Sequence, residues 1–186
     1  MATANNSANV SVGKPKAGGA VYWAPIGTAV PTDASTALDP AFLNVGFVSD
    51  AGVTISTSVE SSSHKAWGGV EVANDVTGFS ETTSFEMLEK SVNAMKLAFG
   101  ADAVTASGED VTAVKHTVEA FKTEAVLVVE TLINSTEIRR TVVARAKLIE
   151  RGDVTYSDGD LVMYPVTFAN LDADGAASVD YYAKVA

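Results

Sequence analysis

The 186 residues include no cysteine, which removes zinc–thiolate sites, thiol nucleophiles and any disulfide framework. Imidazoles are limited to His64 and His116. Charge is scarce too: 19% of residues are charged, against about 25% in an average domain. Cations are the scarcer sign, with 13 Lys+Arg against 23 Asp+Glu, a formal net charge of −10 and a pI near 4.5. Such a chain is a poor reader of DNA sequence, because phosphate contacts need clustered Lys and Arg. It could surround DNA without gripping it. No run of about 18 apolar residues exists, so no membrane-spanning helix and no membrane anchor are expected. The polar start, Met1 to Ser11, is not patterned as a secretory signal.

Hydrophobic residues are plentiful at 47%, enough for a packed core without a metal or a covalent staple. The chain has the length of one domain, with residues 1–19 read as a flexible arm and 20–186 as the folded body. Along that body the apolar residues mostly alternate. Val21 to Pro25 reads as an edge strand, and Phe42 to Ser49 reads as a second. Asp50-Ala51-Gly52 is expected to turn the chain into Val53 to Ser58. Ser58 to Gly69 is polar and ends in two glycines, so it is expected to be a flexible loop carrying one tryptophan. Val70, Val72 and Val76 alternate with polar residues, and a bend at Gly78 leads into Phe79 to Met87.

Glu89 to Phe99 breaks the pattern. Leu88, Val92, Met95 and Phe99 lie at helical spacing, Gly100 suits the end of a helix, and this is the one helix expected. Val111 to Phe121 and Glu124 to Ile133 read as a hairpin across Lys122-Thr123. Thr136 to Glu150 turns at Asp158-Gly159 into Leu161 to Ala169, and Asp174-Gly175 turns into Ser178 to Ala183. Many short strands and one helix give a mainly β protein, an antiparallel β-sandwich or barrel with one flanking α-helix.

Period two on Thr136 to Arg151 places Arg139, Arg145, Lys147 and Arg151 on one face, opposite a largely apolar one. Two readings stand side by side: a solvated sheet face, or an interface where these cations meet acids of an identical neighbour.

Catalytic patterns fail one by one. Ser61-Ser62-Ser63-His64 offers neighbours in sequence rather than a spatial triad, and no G-x-S-x-G elbow occurs. Gly13-Lys14 is followed by Pro15, where a phosphate loop needs Ser or Thr. Asp172-Ala173-Asp174-Gly175 lacks the twelfth-position Glu of a calcium loop, which here is Ala183. His116 is read as a partly buried residue on a strand face with Val114 and Val118. No enzyme activity, cofactor or metal is expected.

The string VYWAPIGTAVPTDASTALDPAFLNVGFVSD, Val21 to Asp50, resembles the amino-terminal region of major tail tube proteins from long-tailed bacteriophages of actinobacterial hosts. Lys65-Ala66-Trp67-Gly68-Gly69 is similar to that family's loop after the second strand pair. Gly152 to Tyr156, Tyr164 to Thr167 and Asp172 to Gly175 also resemble it, while Glu109 to Glu150 is similar only in general character. The resemblance implies a virion subunit, assembled in the bacterial host cytoplasm. Six copies would form a ring, and the rings would stack around a tape-measure protein and join other tail-end proteins. The lumen would pass double-stranded DNA. This fold is also similar to the tube of type VI secretion systems. Such a ring would carry six times the charge of −10, which favours sliding of DNA over binding.

Within that expectation, His64, Lys65, Ala66, Trp67, Gly68 and Gly69 are candidate inter-subunit contacts, as are Arg139, Arg145, Lys147 and Arg151. The bland alternative for Trp67 is that it folds back on its own domain. The competing function is a β-sandwich adhesion or carbohydrate-binding module, for which only Trp23 and Trp67 could supply the exposed aromatics.

Overall fold

Four consecutive apolar residues, Val126, Leu127, Val128 and Val129, are all buried, so the strand that carries them is covered on both faces. They anchor a mainly β architecture in a computed structural model that describes Asn5 and residues 10–134 and 136–184. In chain order the strands are β1 (Lys14–Pro15), β2 (Val21–Pro25), β3 (Leu43–Asn44), β4 (Val48–Lys65) and β5 (Glu71–Met87). The helix α1 (Val92–Phe99) follows, then β6 (Val104–Ser107) and β7 (Asp110–Val114). The chain ends in β8 (Glu124–Asn134), β9 (Glu137–Arg151), β10 (Tyr164–Asn170) and β11 (Val179–Lys184). One antiparallel sheet runs β3-β2-β8-β9-β10-β5-β4, with β1 added on β8 and β11 on β9; β6 and β7 pair separately.

The two faces of that sheet are covered differently. On one, α1 contributes Ala94, Met95, Leu97, Ala98 and Phe99 to a cluster with Phe85, Met87, Leu127, Val143, Leu148 and Phe168. On the other, Phe42 and Leu38 from the connection between β2 and β3 pack on Ala24, Val126, Val128 and Val142. Ser91 caps α1 by accepting the Ala94 amide at 3.2 Å, and Gly100, at φ 94°, ends it. The helix is therefore shorter than the expected Glu89–Phe99. Leu88 is extended and donates its amide to the Phe47 carbonyl at 2.9 Å.

Several strand boundaries differ from the sequence reading. The expected Phe42–Ser49 strand is broken in two: Leu43–Asn44 pairs with β2, and Val48 already belongs to β4 and pairs Met87. Asp50-Ala51-Gly52 is no turn between strands: it lies in a bulge of β4, where Val48 pairs Met87 and Val53 pairs Phe85. The hairpin expected across Lys122-Thr123 does not form, because β7 pairs with β6 and Glu119–Phe121 winds into a single 3-10 turn. His116 accordingly leaves the strand face, and its ring lies 4.8 Å from that of Phe99. β9 and β10 are antiparallel neighbours as expected, but Asp158-Gly159 is a bend inside a longer connection, not a two-residue turn. Asp174-Gly175 does turn tightly, with both residues at positive φ between Ala173 and Ala176.

Residues 1–4 and 6–9 of the expected arm lie outside the described residues. From Val12 onward it is tied down. Val12 donates its amide to Ile133, Lys14 and Pro15 pair with β8, and the Lys16 ammonium bonds Glu130 at 2.7 Å.

Candidate self-assembly surfaces

Beyond Thr57, β4 and β5 leave the body as an exposed two-stranded ribbon. Backbone pairing does not depend on side-chain hydrophobicity, so the serines that suggested a flexible loop are accommodated in a ladder, and His64 pairs Ala73. The ordered ribbon replaces the expected loop. His64 and Lys65 close β4, and Ala66, Trp67, Gly68 and Gly69 form the turn. The Ala66 amide donates to Val70 at 2.8 Å, and the Gly69 amide donates to Ala66 at 2.9 Å. Gly68 and Gly69 stand at φ 105° and 89°, a region that strains residues bearing a Cβ. All six predicted tip residues are therefore together.

The ribbon has two unlike faces. Register places Val59 opposite Phe79 and Ser61 opposite Val76, so Val59, Phe79 and Val76 share one face. Each is more than half exposed. Ser58, Ser62 and His64 share the other, where His64 Nε2 lies 3.2 Å from Asp75. Trp67 at the tip is fully exposed, so it is not folded onto its own domain. Trp23, by contrast, is buried and donates Nε1–H to the Asn93 carbonyl at 3.1 Å. The two tryptophans share no surface.

The four cations of β9 do not share a face. Between Val143 and Ala146 the strand carries one residue more than β8 opposite it, and Ile149 is extra against β10. Each bulge reverses the alternation. Arg139 and Arg151 therefore lie on the α1 side, and Arg145 and Lys147 lie on the other. Three of the four also have partners within the chain, although Arg139 Nε and Arg151 Nη1 are buried without a hydrogen bond. Arg145 grips Glu124 through two hydrogen bonds, at 2.9 and 3.0 Å. This pairing lowers the Glu124 pKa and raises that of Arg145. Arg151 stacks over Phe99 and Phe121, 4.6 and 4.9 Å from the ring centres, and burial lowers its pKa. Arg139 sits 3.9 Å from Asp180. Repulsion among four aligned charges, the premise for a neighbour's acids, is absent.

Sequence reasoning overlooked Arg140. Its guanidinium is fully engaged: Nε and Nη2 bond Glu130, while Nη1 donates to the Asp33 and Thr36 carbonyls at 2.7 and 2.9 Å. The signal was present, since Arg140 stands on the face read as apolar. This ion pair pins the β2–β3 connection to the sheet. Asp33 stiffens the same loop, accepting the Thr36 and Ser35 amides at 2.6 Å each and both hydroxyls. Those bonds hold its carboxyl well below the ordinary range, with the Thr36 amide the largest cause. A lowered folded pKa gives stability that is complete above the unfolded value of about 3.9 and is lost as pH falls toward the folded one. Asp33→Asn is therefore expected to be less stable than the parent at pH 7. The gap should narrow as pH drops below about 4, read by urea midpoints across that range. A constant gap would assign Asp33 no role through its charge.

Two open features complete the surface. The outer edge of β4 has no partner strand among the described residues, although the strand runs for 18 residues. Beside it the sheet curves around a cleft of 1020 Å³.

Residues 2–185 match the phage tail tube protein family. The chain belongs to that family. It is a structural subunit of a phage tail tube, a component of the virion. None of the curated proteins compared matches it. A chain of a native gene transfer agent virion is similar at 13% identity and a TM-score of 0.40, covering 98% of this tail tube protein and 100% of that chain. A long unpaired strand edge is an aggregation hazard for a solitary protein.

Proposed function

We propose that six copies of this tail tube protein close into a ring and that rings stack into a tube around a tape-measure protein. The lumen would conduct double-stranded DNA from capsid to host. The resemblance of Val21 to Asp50 supports a long-tailed phage of an actinobacterial host, with assembly in that host's cytoplasm before incorporation into the tail. The carrying observation is the exposed β4–β5 ribbon with its tip at Trp67, which buries nothing in the free chain. A projecting element with Val59, Val76, Phe79 and Trp67 in water is stable in solution only at a cost that assembly removes. The net charge of −10 supports passage of DNA without adhesion.

Size-exclusion chromatography with negative-stain imaging tests the reading: rings or tubes are expected, and a monomer at all concentrations would overturn it. Trp67→Ala is expected to leave the monomer's melting temperature within about 2 °C of the parent, since the side chain touches no core. An anchor worth about 2 kcal/mol would raise the protein concentration needed for assembly roughly 30-fold. Unchanged assembly of Trp67→Ala would remove the tip from the interface.

A further inference from the structure

The chain holds two Asp-Gly sequences, Asp158-Gly159 and Asp174-Gly175, and no Asn-Gly. Both carry the signal of a tight turn, and only the second makes one. All four residues are exposed. What separates the two pairs is how firmly the backbone around each is held.

Asp158-Gly159 lies within residues 152–163, the connection from β9 to β10. Gly152 at its start donates its amide to the Pro165 carbonyl at 3.0 Å. From Asp153 to Met163, no amide or carbonyl has a backbone partner among the described residues. The Ser157 hydroxyl bonds Asp160 at 3.1 Å and passes over the Asp-Gly pair. A Cβ placed on Gly159 would meet nothing within 4 Å. Asp174-Gly175 is held instead. Its residues stand at φ 54° and 86°, inside reciprocal amide-to-carbonyl bonds of 2.9 and 3.2 Å between Ala173 and Ala176. The Gly175 amide also donates to Asp172 Oδ1 at 3.4 Å.

We propose that Asp158 is a site of spontaneous succinimide formation and isoaspartate modification, and that the fold withholds the same chemistry from Asp174. The Gly159 nitrogen attacks Cγ of the protonated Asp158 carboxyl. The new N–Cγ bond closes a five-membered ring, and the amide hydrogen leaves with the carboxyl hydroxyl as water. Water then adds at either ring carbonyl. Opening at Cγ restores aspartate; opening at the main-chain carbonyl leaves the backbone running through Cβ and Cγ, with a free carboxylate beside it. Nothing but water is released and consumed. Ring closure needs the Asp158 torsions to swing freely, and glycine leaves the attacking nitrogen unhindered. At Asp174 the turn must open first, and an opening cost of about 1.4 kcal/mol slows the step about tenfold. The product keeps the charge of Asp158 and adds one backbone atom where no strand partner fixes the length.

The test ages the full-length protein for weeks in mildly acidic buffer, with a parallel sample in urea. Isoaspartate is scored by the methyltransferase that esterifies isoaspartyl carboxylates from S-adenosylmethionine, and peptide mapping places each site. In the native chain the yield at residue 158 is expected to exceed that at residue 174 about tenfold or more. In urea the two yields should become nearly equal, because neither turn bond survives. Gly159→Ala, which sets a methyl group beside the attacking nitrogen, should lower the yield at 158 several-fold and leave that at 174 unchanged. A native chain in which residue 174 equals or exceeds residue 158, or in which residue 158 stays unmodified, overturns the proposal.

Discussion

Arg140→Ala is expected to cost about 3–5 kcal/mol, close to the whole stability of a modest domain. The side chain of Arg140 is 3% exposed and that of Glu130 is 4% exposed, so neither partner can exchange the other for water. Removing the guanidinium leaves a buried carboxylate with Lys16 as its remaining partner, and it strands the carbonyls of Asp33 and Thr36. Arg140→Lys should recover only part of the loss, because an ammonium cannot replace the planar fork that bonds Glu130 and two carbonyls together. The double variant Glu130→Met/Arg140→Met should be less damaged than Arg140→Ala, since it leaves no buried charge unpaired. Urea unfolding of the four proteins at pH 7 measures this. A loss below about 1 kcal/mol for Arg140→Ala would mean that the β2–β3 connection holds to the sheet without the ion pair.

Much of the fold was legible in the sequence because burial imposes period two. The alternation of β9 and the strand pattern of Glu124 to Ile133 pointed to antiparallel strands, and they pair; Asp174-Gly175 turns as expected, but the strands on either side of it pair β9 and not each other. The errors on faces trace to bulges. One extra residue between Val143 and Ala146 leaves the strand intact and reverses the side chains beyond it, until the second bulge at Ile149 reverses them again. Nothing in the local residue types marks that insertion, because it is set by register against β8. The four-cation face was therefore a sound inference from a uniform period that the strand does not keep.

The ribbon was misread for a related reason. Serine, glycine and asparagine signal a loop when burial is assumed to drive strand formation. Here the ladder between Ser61–Lys65 and Glu71–Val76 is exposed throughout, so no hydrophobic alternation was needed to form it. The six residues singled out around Trp67 do lie together at the end of the ribbon. The cleft combines β1, β4, β8, β9 and β11, elements far apart in sequence that only the folded sheet brings together.

Met95→Asp is expected to abolish soluble protein or lower the melting temperature by about 10 °C or more. Met95 is 2% exposed and lies in the cluster formed by α1, Phe85, Met87 and Phe168. An aspartate there would be a buried charge without a partner, which costs about 3–5 kcal/mol before the lost packing is counted. Val92→Asp should behave differently, although the helical spacing placed Val92 on the same stripe. Val92 is only half-buried and opens the helix directly after the Ser91 cap, where the first turn holds no acid. A carboxylate at that position gains about 0.3–1 kcal/mol from the exposed amides of the helix start, which offsets part of the lost valine contact. Its melting temperature should fall by less than about 4 °C. Met95→Leu, which keeps volume and apolarity, should cost under about 1.5 kcal/mol and shows that the site tolerates substitution as such. Equal damage from Val92→Asp and Met95→Asp would mean that the buried face of α1 is the one read from the sequence, centred on Val92, and not the one formed by Ala94, Met95, Ala98 and Phe99.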